Sequence, residues 1–117
     1  MITNKSETIA LRATVIAGMR YADDYQVTWR GLTIGRIIKS SGVPAHIAQW
    51  SWTCYVHGKP GAGASGTGID LDDCKQHFKT AWARIRGSLS DDDIARAHRY
   101  AEGSAEALAR YDRKYGT

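Results

Sequence analysis

Cysteine, proline and phenylalanine are scarce in this chain, at two, two and one among 117 residues. Two cysteines are too few for a disulfide framework, and two prolines too few for a collagen-like or polyproline chain. No apolar run approaches the roughly 20 residues needed to span a bilayer. The opening residues, Met1-Ile2-Thr3-Asn4-Lys5, lack the apolar stretch of an export signal. These absences exclude a membrane-spanning, collagenous or disulfide-stapled protein. They lead to the expectation of a cytoplasmic single domain, residues 1–117, with reduced thiols and no membrane partner.

What is present is positive charge in the first half. Residues 1–68 carry seven bases and three acids, whereas residues 69–117 carry nine of each. Six of those later acids form two clumps, Asp70/Asp72/Asp73 and Asp91/Asp92/Asp93. Between the clumps stand Lys75, Lys79, Arg84 and Arg86 with no acid. A sequence pI near 9.2 suits an acidic partner, either a phosphate backbone or an acidic protein surface.

Hydrophobic patterning gives a β-rich first half and a helical second half. Residues 8–57 read as strands, because apolar and polar residues alternate with period two over Thr8–Tyr21, Tyr25–Trp29, Leu32–Lys39 and His46–His57. Ala22-Asp23-Asp24 reads as a turn after the first run, and Arg30-Gly31 as a hairpin turn after the second. Gly35 inside the third run predicts a bulge or a close backbone approach. Residues 58–69 hold five glycines and read as a long flexible loop. Residues 70–89 predict a helix, with Leu71, Cys74, Phe78, Ala81, Trp82, Ile85 and Leu89 in an arc of roughly 100°. Asp70 and Asp73 fit its capping box. Ser90 and Asp93 cap a last helix over 90–114, with Ile94, Ala97, His98, Ala101, Ala105 and Leu108 on one face. The expected fold is α+β: an antiparallel sheet of three or four strands packed on one amphipathic helix, then a second C-terminal helix.

Candidate sites follow. Cys54-x-x-His57 and Cys74-x-x-His77 have the ligand types of a structural zinc site. Strand geometry opposes it, since an odd spacing turns Cys54 and His57 to opposite faces. Gly61-x-Gly63-x-x-Gly66 matches the spacing of a dinucleotide fingerprint, but the helix opens too far beyond it and three aspartates stand at that helix start. No metal or cofactor is therefore expected. No nucleophile, base and orienting group stand at catalytic spacing, so the chain reads as a binding protein and not an enzyme.

The binding candidates are Arg30, Arg36 and Lys39 from the strands, Lys75, Lys79 and Arg86 from the helix, and Trp29. Tryptophan interleaved with Arg on a sheet can stack bases and hold phosphates. The same residues anchor protein partners, including a second copy of the chain. Trp50 and Trp52 can instead form the inner face of the sheet against Phe78 and Trp82. Nucleic-acid binding through a basic, aromatic sheet face is the first expectation. A protein-interaction module, a homodimer or a small regulator of a larger machine, is the second.

Ala22-Asp23-Asp24-Tyr25, Gly31-Leu32-Thr33-Ile34-Gly35-Arg36-Ile37, Trp50-Ser51-Trp52 and Asp70-Leu71-Asp72-Asp73-Cys74-Lys75-x-x-Phe78-x-x-x-Trp82 together resemble a group of small uncharacterised proteins of alpha-proteobacteria. The resemblance covers roughly residues 22–113 and carries no activity and no site residues across. In outline, strands followed by a helix are also similar to double-stranded-RNA-binding domains and to the sheet-reading DNA-binding domains of some integrases. The first analogy fails where those domains place lysines at the helix start, because this chain has Asp70, Asp72 and Asp73. The second rests on architecture alone.

Overall fold

The computed structural model describes residues 8–59 and 61–115, with side chains described to residue 103. Five strands form one antiparallel sheet in chain order: β1 (Ile9–Ile16), β2 (Met19–Trp29), β3 (Leu32–Lys39), β4 (Trp50–Tyr55) and β5 (Gly63–Gly68). Two helices follow, α1 (Leu71–Gly87) and α2 (Asp91–Tyr115). The α+β class and the antiparallel sheet agree with the sequence reading. The strand count is five, where three or four were expected.

Both departures from the expected strand layout have a physical origin. The run Thr8–Tyr21 is broken by a two-residue turn at Ala17-Gly18, where both residues hold positive φ, 52° and 78°. That conformation matches the right-handed twist of a hairpin, as does Arg30-Gly31 at 51° and 75°. Ala22-Asp23-Asp24 is therefore no turn but part of β2. Asp23 does take φ 57° there, within an irregular stretch of the β1–β2 register. The expected loop over 58–69 is also corrected. Gly63–Gly68 pairs with β4 along its whole length, from Trp50↔Gly68 to Tyr55↔Gly63. Its glycines let backbone approach bulky neighbours: a Cβ on Gly66 would stand 2.9 Å from Trp52 Nε1, and one on Gly68 2.7 Å from Cys74 Sγ. The expected strand over 46–57 is shortened to Trp50–Tyr55.

The sheet has a packed face and an open face. Val27, Trp29, Leu32, Ile34, Ile37, Trp52 and Cys54 point one way and join Cys74, Phe78, Ala81, Trp82 and Ile85 of α1 in the core. Burying such a side chain contributes about 1.5–3 kcal/mol. Gly35 bears out its reading. The register slips beside it, and a Cβ at this position would collide with the Thr53 carbonyl oxygen and stand 2.5 Å from the Phe78 ring. Helix α1 starts where Asp70 accepts the Asp73 N–H at 2.8 Å, while the Asp73 carboxylate accepts from Ile69 N–H at 3.0 Å. Helix α2 starts with a reciprocal box: Asp93 N–H donates to Ser90 Oγ, and Ser90 N–H to the Asp93 carboxylate. Ile94 and Ala97 bring α2 into the same core. The side chains of Ala105 and Leu108, assigned to its apolar face, lie outside the described residues. Among the described residues, no helix is long and apolar enough to cross a membrane.

Candidate nucleic-acid interface

The strand pleat sends alternate side chains to opposite faces, and the register lines them into rows. On the open face one row crosses all five strands. Arg12 of β1 stands beside Gln26 of β2, Gln26 beside Arg36, Arg36 beside Thr53, and Thr53 beside Ser65. All five are exposed. Thr28 and Thr33 flank the row, half-buried, toward the β2–β3 turn. The row and its flank are thus built from Arg, Gln, Thr and Ser, whose side chains are hydrogen-bonding partners of base edges.

Arg36 is held in place. Its Nε donates to Asp24 Oδ1 at 2.8 Å and its second nitrogen to Asp24 Oδ2, a two-point fork. Thr14 Oγ1 donates to Asp24 Oδ1 at 2.9 Å. Asp24 is only 5% exposed, whereas the Arg36 side chain is 49% exposed. The Arg36 fork holds the Asp24 carboxyl below the usual carboxylate range, against the opposing effect of burial, and the Thr14 hydroxyl adds to the lowering. A guanidinium fixed by a carboxylate loses little rotamer freedom when it binds. Its charge is largely balanced, so it contributes donors rather than net attraction.

The sequence-predicted contact residues divide between the two faces. Arg36 is on the open face. Lys75, Lys79 and Arg86 line a groove on the packed side, between α1 and β1–β2. Arg30 places its guanidinium 4.3 Å from the Trp29 ring centre, and Arg86 lies 5.1 Å from the same ring. Lys39 sits at the far end of β3, opposite Trp50.

The tryptophans correct the expectation of an aromatic binding face. Trp29 is 1% exposed and stacks at a tilt on Trp82, with ring centres 5.2 Å apart. Trp52 is buried edge-on to Phe78, and Trp50 packs against the same core. Their strand parity is that of Val27 and Cys54, so they face α1. Arg12, Gln26, Thr53 and Ser65 were not among the predicted contacts. The signal for them was strand pairing: Arg12 beside Gln26 becomes legible once Ala17-Gly18 is read as the turn, and Thr53 beside Ser65 once residues 63–68 are read as a strand.

The four candidate zinc ligands are not brought together. Cys54 and Cys74 are buried, and His57 and His77 are exposed. His77 lies 3.2 Å from the Asp73 carboxylate. Burial pushes the Cys54 thiol up to about 11 and also raises that of Cys74. Among the described residues, no group of three or more His, Cys, Asp or Glu side chains is placed to hold a metal ion. Gly63 and Gly66 of the dinucleotide-like spacing are strand residues of β5. Comparison of the chain with family models, curated proteins and solved structures returns no match.

Proposed function

We propose that this chain is a cytoplasmic, non-catalytic protein that binds duplex nucleic acid through the open face of its sheet, with DNA as the favoured form. The observation that supports this reading is the exposed row Arg12–Gln26–Arg36–Thr53–Ser65, which crosses five strands on the face turned away from α1. Sheet readers of DNA lay strands into its major or minor groove. Arg pairs with guanine, Gln with adenine, and Thr or Ser with either. In this reading Arg36 is a pre-set reader, Arg12 supplies unbalanced charge, and Gln26, Thr53 and Ser65 complete the row. No base stacks on tryptophan.

The test is anisotropy of labelled duplex DNA, single-stranded DNA and RNA at two salt concentrations. Binding to duplex DNA, weakened about tenfold by Arg12→Ala, is the expected result. With few unbalanced charges on the face, the salt slope is shallow, corresponding to about one to three phosphates. Absence of duplex binding at low salt, or binding indifferent to Arg12→Ala and Gln26→Ala together, would sink the reading.

A further inference from the structure

The fork between Arg36 and Asp24 occupies one side of the guanidinium only. Nε and Nη2 each give one N–H to the carboxylate, two of the five donors that the group carries. The guanidinium is planar and rigid, so the remaining Nη1 and Nη2 hydrogens form a second edge, turned away from Asp24. Among the described residues, Nη1 has no hydrogen-bond partner. The Asp24 side chain is 7% exposed and the Arg36 side chain 49%, so solvent reaches Arg36 on the side away from the fork. Thr14 closes the clasp from behind, its hydroxyl donating to the same Asp24 oxygen that Nε meets. A clasp that only fastened strands would not require the second edge to be open.

We infer that Asp24 is a specificity-determining residue, which sets Arg36 to read guanine from the major groove and keeps it from serving as a phosphate anchor. The inference rests on the reading of the open face as a duplex-binding surface. Guanine presents two neutral acceptors, O6 and N7, on its major-groove edge, and an Arg with two parallel N–H groups meets both. The second edge of Arg36 is such a pair. A phosphate calls instead for net positive charge, which the Asp24 carboxylate cancels and, at this range, repels. Position in the sheet supports the same division. The major groove is about 12 Å wide, room for two or three strands spaced at about 4.8 Å. β3 is the middle strand of the five, so Arg36 stands over base edges. Arg12 lies on the outermost strand, where phosphates come within reach. Asp24 touches no base in this arrangement and acts through Arg36 as a positioning residue.

Two labelled duplexes of repeated GA steps provide the probe, one natural and one with every guanine replaced by 7-deazaguanine. The replacement removes the N7 acceptor and leaves pairing and backbone charge alone. The full chain is expected to bind the natural duplex about tenfold tighter than the substituted one. Asp24→Asn should shrink that ratio to about twofold and steepen the salt slope by about one phosphate, because the released guanidinium then binds as a charge. Arg36→Lys keeps the charge and its pairing with Asp24 but loses the planar edge. It should also lose the ratio, with the salt slope unchanged, so the inference stays testable where Asp24→Asn does not fold. A parent that binds both duplexes equally, or a folded Asp24→Asn that keeps the full ratio, would overturn the inference and leave duplex binding in place. A parent that binds neither duplex at low salt removes the open-face reading itself, and this inference with it.

Discussion

The two ends of the β1–β2 hairpin are alike in residue type and unlike in surroundings. At one end Ile9, Leu11, Val27 and Trp29 lie against α1, and Val27 and Trp29 are fully buried. At the other end Val15, Ile16, Met19 and Tyr21 extend beyond the helix, with Met19 64% exposed. Between them stands the Thr14–Asp24–Arg36 cluster, which fastens β1, β2 and β3 by side chains where core packing stops. Alternating apolar residues thus make a strand at both ends, but only one end gains burial. The comparison teaches that the hairpin is held by hydrophobic packing at its base and by one polar clasp at its waist. Beyond the clasp, among the described residues, it is held by backbone pairing.

Three substitutions sharpen that contrast. At the packed base, Gly35→Ala has the largest expected effect, because the new methyl meets backbone oxygen and the Phe78 ring with nowhere to go. Chemical denaturation should show a loss of about 3 kcal/mol. At the waist, Asp24→Asn keeps the shape and removes the charge. The expected loss is about 1–2 kcal/mol, moderated by the half-exposure of Arg36. Its pH dependence follows from the lowered folded pKa of Asp24. The native carboxylate stabilises the fold fully above the ordinary value of 3.8, and that contribution disappears as pH falls through the lowered one. Melting curves of parent and variant should therefore converge in acid and separate above pH of about 4. At the free end, Met19→Gln should change stability by less than about 0.5 kcal/mol. A larger loss there would mean that the hairpin tip is packed in solution.

The parts legible in the sequence were those written in side-chain periodicity. The α1 arc from Cys74 to Ile85, the two helix caps, the Arg30-Gly31 turn and the close approach at Gly35 all carry their signal in residue type. The missed parts carry theirs elsewhere. Ala17-Gly18 lies inside a run that alternates on either side of it, which hid its turn, while Ala22-Asp23-Asp24 had turn composition within a strand. β5 is made of Gly, Ala, Ser and Thr because Trp52 and Cys74 occupy the space its side chains would take. A strand defined by what presses on it looks like a loop when read alone. The open-face row was hidden for a related reason: it depends on five strands in register, and a shift of one residue sends every member to the other face.

The order of the sheet has a kinetic consequence. Each strand pairs with the one next to it in the chain, so no strand waits for a distant partner. Each hairpin closes a short stretch of backbone, and loop-closure entropy grows with the length enclosed. The longest excursion is the return of α1 and α2 to the strands. Folding can start at either tight turn and spread strand by strand, so stopped-flow refolding is expected to be faster than for a sheet of this size with crossover connections.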